Sequence, residues 1–155
     1  MDDIAAIKQL KYRYLRAIDT KAWDVLAGTV TADVVANYGE EGHNGGSMSF
    51  MSRDDLIEFL RASLTGSVIT EHRVNHPEIT VAGDEATGSW YLFDRVFMLD
   101  SNSMLIGSSF YTDLYRRTDD GWRISSTGFK RTYEATVSLA DLPSFSLKIG
   151  AALPL

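Results

Sequence analysis

Two residues of this 155-residue chain are of types and at places that suit proton transfer. His72 lies in a run of alternating residues and shares its parity with the apolar set around Val68 and Val74. Imidazole titrates near neutral pH and is the commonest general base in proteins. Asp19 ends the first predicted helix, at the margin of its apolar side, where the helix dipole disfavours a negative charge. A carboxylate there could orient the imidazole of His72 and stabilise its cation.

Each candidate also has a structural interpretation that the residues alone leave open. His72 could be a core histidine bonded to a backbone carbonyl, and Asp19 could cap the next helix. Tyr14 lies at the centre of the apolar side of the first helix, so it could be either a core tyrosine or a residue that lines a pocket. Asp94 lies among large apolar residues by parity, so its carboxylate needs a partner, for which we expect Arg116 or Arg123.

The sequence predicts neither a metal site nor a cofactor motif. His72 and His76 on one strand would be about 13 Å apart at about 3.3 Å per residue, too far to share an ion. His43 lies in a glycine-rich segment and has no Cys or His close by. The chain has no cysteine, which excludes thiolate zinc sites and a cysteine nucleophile. Phosphate-binding loops, dinucleotide fingerprints and nucleophile elbows are absent from the sequence.

Composition and charge narrow the class of partner. The net charge of −6 argues against nucleic acid, which is bound through clustered Lys and Arg. The sequence has no apolar run of about 18 residues, so we expect no membrane span. The N-terminal segment lacks the order of a secretory signal, so we expect a cytoplasmic protein. With 45% hydrophobic residues, the chain is long enough for one domain around one core.

The order of elements follows from a change of hydrophobic period along the chain. A period near 3.6 predicts helices over residues 3–18, 21–30 and 52–66, with a strand over 33–38 and a glycine-rich loop over 39–49. After Gly66 the period is 2, which predicts four long strands over 68–81, 86–99, 104–117 and 122–137. The short turns between these strands predict antiparallel neighbours.

The third predicted long strand from the C-terminus, residues 86–99, carries large apolar side chains on both parities. A strand exposed on one face should alternate, so we expect its sheet to be covered by helices on one face and by another subunit on the other. Residues 138–155 form an apolar but irregular tail, which we expect to pack over the pocket or a subunit interface.

This order, together with five segments, resembles the SnoaL-like branch of the NTF2-like superfamily, which includes scytalone dehydratase, bile-acid dehydratase and hexachlorocyclohexane dehydrochlorinase. The segments are IAAIKQLKYRY (residues 4–14), TEHR (70–73), GDEAT (83–87), YTDLYRR (111–117) and DGWRI (120–124). The resemblance implies an α+β, cystatin-like cone over residues 1–137, in which three N-terminal helices pack on a strongly curved antiparallel sheet.

The resemblance also implies a site and a function. Asp19 and His72 fall at the positions of a catalytic dyad in the dehydratase-like members. Tyr14 falls where some members place a polar residue that points at the substrate. Asp94 is a looser match to an acid that the bile-acid dehydratase uses opposite the histidine. The basic group late in the sheet of the dehydrochlorinase is replaced by Ser125, Ser126 or Thr127. Pocket-lining candidates are Trp90, Phe93, Phe110 and Phe129.

The function implied is a lyase without a cofactor, resembling a dehydratase, that acts on a small, largely apolar cyclic molecule through proton abstraction by His72. The alternatives are an isomerase or polyketide cyclase that uses the same base, and a ligand-binding or structural subunit that is not an enzyme. The family habit implies a homotrimer or a homodimer.

Overall fold

The computed structural model describes residues 1–39 and 48–154. Most of the predicted loop over 39–49, including His43, lies outside these residues. No helix within them is long and apolar enough to cross a membrane. The elements, in chain order, are α1 (Asp3–Asp19), α2 (Trp23–Ala27), β1 (Val30–Asn37), β2 (Ser49–Phe50), α3 (Arg53–Ser63), β3 (Val68–Ala82), β4 (Glu85–Met98), β5 (Ser103–Thr118), β6 (Gly121–Ser138) and a short 3-10 helix (Leu139–Asp141).

The start of helix α1 and the side that it buries both follow from its sequence. The side chain of Asp2 caps the first turn by accepting a hydrogen bond of 2.7 Å from the backbone N–H of Ala5. Residues at three- and four-residue steps, such as Ile7, Leu10 and Ile18, are buried and hold the helix against the sheet. The packing of the preceding turns of α1 therefore places Asp19 against the sheet.

The six strands form one open sheet in the order β2-β1-β6-β5-β4-β3. The long strands β3 to β6 are antiparallel neighbours, as the short turns between them predict. The predicted fold is confirmed, and the sheet is mixed because β1 pairs parallel to β6. No turn joins these two strands, so their relative direction was not fixed by a local signal. Strand β3 lies at an edge of the sheet.

The second helix is shorter than its sequence pattern predicts. The prediction of a helix over 21–30 is corrected to α2, and β1 already begins at Val30 rather than at Asp33. The hydroxyl of Thr29 bonds the backbone carbonyl of Leu26 at 2.6 Å, which closes the helix, and the β-branched pair Val30-Thr31 then favours a strand.

The two faces of the sheet differ in what covers them. The inner face, which carries Trp90, Tyr111 and Ile124, packs against α1 and forms the core. The outer face leaves large apolar side chains exposed, namely Val35, Tyr91, Phe110, Leu114 and Tyr133. Within the tail, Phe145 contacts Phe97 on this outer face at a ring distance of 5.9 Å. Cover of the outer face by a second subunit stays a prediction.

Candidate active site

The structure brings the end of α1 against the middle of the edge strand β3. The Nδ1 atom of His72 lies 2.6 Å from Oδ1 of Asp19, and the backbone N–H of His72 donates to Oδ2 of Asp19 at 2.9 Å. Both oxygens of one carboxylate thus bind one residue of the strand. This double contact fixes the imidazole ring relative to the helix.

Two neighbours complete the attachment of α1 to β3. The hydroxyl of Thr70 donates to Oδ1 of Asp19 at 2.8 Å, and Nζ of Lys21 donates to the carbonyl of Val68 at 2.6 Å. Partial burial lowers the pKa of Lys21, although the charge of Asp19 opposes that effect. Lys21, two residues after Asp19, has a φ of 56°, a left-handed backbone conformation in which the helix cannot continue.

The contact with Asp19 assigns the proton on the imidazole. An ionised carboxylate can only accept hydrogen bonds, so Nδ1 of His72 must be the donor. In the neutral ring the other nitrogen, Nε2, then carries the lone pair. His72 is thereby prepared as a base at Nε2, with a carboxylate behind it to stabilise the cation formed on protonation.

A cleft of about 410 Å³ opens beside this pair, between α1 and β3. The His72 side chain is 14% exposed and that of Asp19 is 23% exposed, so the ring is held by the fold yet reachable from the cleft. The lining residues are Tyr12, Leu15, Arg16, Asp19, His72, Arg73 and Val74.

Asp94 lies directly opposite His72 in the pairing of β3 with β4. Its partner is Arg131, whose guanidinium forms a two-point contact with the carboxylate, the second bond being 3.0 Å long. This corrects the expectation of Arg116 or Arg123, of which the former pairs with Asp33 at 3.1 Å. Burial acts to lower the pKa of Arg131, but the hydrogen bond and charge of Asp94 raise it overall.

Gly107 makes room for the Asp94–Arg131 pair. It pairs with Asp94 on the neighbouring strand. A Cβ at this position would lie 2.6 Å from Oδ1 of Asp94 and would collide with the Arg131 guanidinium. The hydroxyl of Ser109 also accepts a hydrogen bond of 3.0 Å from Arg131. The sheet therefore does hold a basic group late in its sequence, at Arg131 and not at Ser125, Ser126 or Thr127.

The four predicted aromatic lining residues do not share one face. Trp90 and Phe129 lie on the inner face, but Trp90 is fully buried and donates to Tyr115 at 2.9 Å. Phe93 and Phe110 lie on the outer face, since Phe93 adjoins Asp94 in the strand and Phe110 contacts the outer-face Tyr91 at 4.5 Å. Phe93 and Phe110 thus lie on the opposite face of the sheet from His72, and the lining of a pocket by the four aromatic residues stays a prediction.

Tyr14 is fully buried, and its hydroxyl hydrogen-bonds the hydroxyl of Tyr38. Burial raises its pKa well above the usual range. Tyr14 is not among the residues that line the cleft. The structure therefore places it in the core, away from the Asp19–His72 pair.

A buried ion pair that the sequence analysis missed lies beside Tyr14. Nζ of Lys11 is 2.7 Å from Asp113, and both side chains are fully buried. Asp113 also accepts hydrogen bonds from Tyr115 at 2.8 Å and Thr127 at 2.7 Å. Lys11 further lies 3.4 Å from the centre of the Tyr111 ring. The pair and its neighbours fill the interior at the middle of α1.

Among the described residues, no group of three or more His, Asp or Glu side chains is arranged to hold a metal ion.

The family to which the fold belongs is decided by a match over most of the sequence. A model of the SnoaL-like domain matches residues 1–128. The chain belongs to this SnoaL-like family. An uncharacterized protein of Mycobacterium tuberculosis strain H37Rv is 29% identical over 125 residues, which cover 80% of this chain and 82% of the relative.

Solved structures agree with this SnoaL-like fold. A type 3 hexachlorocyclohexane dehydrochlorinase from Novosphingobium barchaimii aligns with a TM-score of 0.73 at 17% identity, covering 86% of this chain and 89% of that chain. A protein of Novosphingobium aromaticivorans, provisionally named a scytalone dehydratase, aligns with a TM-score of 0.75 at 18% identity, covering 85% of each chain. At these identities the likeness shows the fold alone.

Proposed function

We propose that this SnoaL-like protein is a small-molecule lyase in which His72 removes a proton from carbon. The observation that carries the proposal is the 2.6 Å contact between Nδ1 of His72 and Asp19 beside an accessible cleft. A core histidine bonded to a backbone carbonyl would need no such carboxylate. The names of the dehydrochlorinase and the scytalone dehydratase with this fold support an elimination.

In the proposed step, Nε2 of His72 takes a proton from a carbon next to a carbonyl group, and the electron pair enters an enolate. Asp19 stabilises the imidazolium that forms. The imidazolium returns the proton to the departing hydroxyl as the carbon–oxygen bond breaks, which gives an alkene and water. His72 takes one proton from carbon and returns one proton to the leaving hydroxyl, so the step needs no additional acid or base. Tyr14 receives no contact with substrate in this scheme because its hydroxyl is bonded to Tyr38.

The imidazole tautomer can be tested before any substrate is known. Long-range ¹H–¹⁵N spectra at neutral pH should show His72 protonated at Nδ1, with His76, which is exposed, as the internal reference. In Asp19→Asn the carboxylate acceptor is lost, and we expect the Nδ1–H signature to disappear. A wild-type His72 that carries its proton on Nε2 would contradict the proposed orientation.

The reaction itself is tested by incubating a panel of cyclic β-hydroxy ketones with the protein and measuring product mass. Loss of water supports the dehydratase, whereas an unchanged mass indicates the isomerase or cyclase alternative. We expect His72→Ala and Asp19→Asn to abolish turnover, and the exposed Arg61→Gln on α3 to retain it. Full turnover by both dyad variants would refute the mechanism.

We also propose that the protein is a homo-oligomer in which the outer face of the sheet is buried. Five large side chains are exposed there, and apolar side chains exposed together on one face are typical of an interface. Sedimentation analysis should give a dimer or trimer for the native chain and a smaller species for Phe110→Lys combined with Leu114→Lys. A monomeric native chain would refute this proposal.

A further inference from the structure

The walls of the cleft beside His72 carry positive charge that the proposed proton transfer does not use. Arg16 lines the cleft from α1, whereas Arg73 borders it from β3 with its side chain on the opposite face from His72, bonded to Glu71. With Asp19 on the same lining, the two arginines leave the cleft a formal charge of about +1, opposite in sign to the net charge of −6 of the chain. Such a local field attracts small anions.

Arg16 is left without an acidic partner by the way the dyad is built. Asp19 lies one helical turn further on, at the i+3 position where an ion pair with Arg16 would be expected. Both oxygens of Asp19 instead face β3, where Thr70 and His72 donate to them. Within the described ranges 1–39 and 48–154, the guanidinium of Arg16 forms no ion pair. It is exposed at the cleft and free to bind a ligand.

Arg73 is held less firmly than its one ion pair suggests. It pairs with Glu71 at 2.5 Å, but its side chain is 70% exposed and that of Glu71 is 39% exposed. Exposed pairs of this kind contribute little, so a ligand can share the guanidinium at low cost. We therefore expect Arg16 to supply most of the anion affinity and Arg73 a smaller part.

The rest of the cleft is apolar. Tyr12, Leu15 and Val74 line it together with Arg16. A volume of about 410 Å³ is within the usual range of small-molecule sites. The combination fits a compact ring that bears an anionic group.

We propose that the molecule acted on at His72 is a cyclic organic acid whose carboxylate binds Arg16. This inference rests on the proposed function and narrows its substrate class from a largely apolar molecule to an amphipathic anion. A planar guanidinium binds a carboxylate through two parallel hydrogen bonds, which would fix the direction of the ring relative to His72.

The test compares three carboxylates with their neutral amides as probes, namely benzoate, cyclohexanecarboxylate and 1-naphthoate against benzamide, cyclohexanecarboxamide and 1-naphthamide. Binding is measured from the backbone amide shifts of His72 and Val74 in ¹H–¹⁵N spectra. We expect at least one carboxylate to bind at least about tenfold more tightly than its amide, since a charge-assisted pair is worth about that much. Binding should weaken as salt is added.

Arg16→Gln should remove the preference for carboxylate over amide, and Arg73→Gln should reduce it less. Arg61→Gln, a matched change of an exposed arginine on α3, should leave the preference intact. Equal binding of carboxylates and amides, no binding of any carboxylate, or an unaltered preference in Arg16→Gln would overturn the inference.

The outcomes separate this inference from the proposed function. His72→Ala removes the base but leaves Arg16, so it should still bind the carboxylate probes. Retained probe binding together with a failure of the dyad variants to affect turnover would refute the lyase mechanism and leave the anion site standing. Loss of turnover in His72→Ala without any carboxylate preference would support the lyase mechanism and overturn the anion site.

Discussion

Four buried tyrosines predict that the protein unfolds in alkali within a narrow range of pH. Tyr14, Tyr38, Tyr111 and Tyr115 are buried in the core, and burial raises the pKa of each above the ordinary value of 10.0. A group whose pKa is higher in the folded state contributes its full stability below the unfolded pKa and loses it as pH rises. The loss therefore begins near pH 10.

The size of the loss follows from the number of groups. One tyrosine that ionises only when unfolded costs about 1.4 kcal/mol at pH 11 and about 2.7 kcal/mol at pH 12. Four such groups together cost about 6 kcal/mol at pH 11 and about 11 kcal/mol at pH 12. Since domains are stable by about 5–15 kcal/mol, the midpoint of unfolding should fall at about pH 11 to 13.

Lys11 acts with the opposite sign but does not change this result. Burial lowers its pKa from 10.5, although Asp113 opposes the shift. The unfolded state then binds the proton more tightly, so stability rises with pH up to about 10.5 and is unaffected beyond it. The tyrosine effect alone operates above that pH.

Circular dichroism and tyrosinate absorbance measured together test the prediction. The absorbance change of the four buried tyrosines should coincide with the change in circular dichroism, because these four ionise only on unfolding. Tyr14→Phe should reduce the pH dependence by about a quarter, whereas Tyr133→Phe, an exposed position, should leave it unaltered. A chain that remains folded while all seven of its tyrosines ionise would refute the reasoning.

Three further substitutions test the packing around the site by urea denaturation. Lys11→Met should cost about 3–5 kcal/mol because it leaves Asp113 buried without its cation, and adding Asp113→Leu should recover much of that loss. Gly107→Ala should cost about 1–3 kcal/mol through overpacking, while Gly66→Ala, which meets open space, should stay within about 0.5 kcal/mol. Thr70→Val should cost about 1 kcal/mol, the value of the lost bond to the dyad carboxylate; no cost would contradict that bond.

The long strands and the first helix could be predicted because each has one unbroken period. α1 ends one residue beyond its predicted bound, and the limits of β3 to β6 differ from prediction by one residue at most ends. α2 was less predictable because Thr29 and Val30 break the helical pattern inside a short segment. In so short a helix, local hydrogen bonding to the Thr29 hydroxyl outweighs the period of the apolar residues.

The site was predictable in part. The position of Asp19 at a helix end and the inward parity of His72 are visible in the sequence, but their meeting depends on how α1 packs on β3. The partner of Asp94 was not predictable, because the pairing of β5 with β6 shifts between Ser108 and Ser109. That shift sets Arg131 against Ser109, and no local pattern marks it.

The buried ion pair did leave a signal in the sequence. Lys11 stands four residues after Ile7 and three before Tyr14, so it lies on the apolar side of α1 rather than among the exposed cations. A lysine on that side needs a buried acid, and Asp113 lies on an inward parity of its strand. Lys11 and Asp94 are alike in this respect, since each is a charged group among apolar neighbours and each has one oppositely charged partner on another element.

The interior network and the cleft together determine where a substrate can reach His72. The middle of α1 is closed to it, because Lys11, Tyr14 and Tyr111 are fully buried and bonded to one another or to their neighbours. The cleft lies instead along the second half of the helix, where Tyr12, Leu15, Arg16 and Asp19 line it. The chain thus rigidly fixes the helix in its middle and exposes the imidazole at its end. Among the described residues, the cleft between α1 and the edge strand, which Arg16 lines, is therefore the approach to His72 that the proposed function uses.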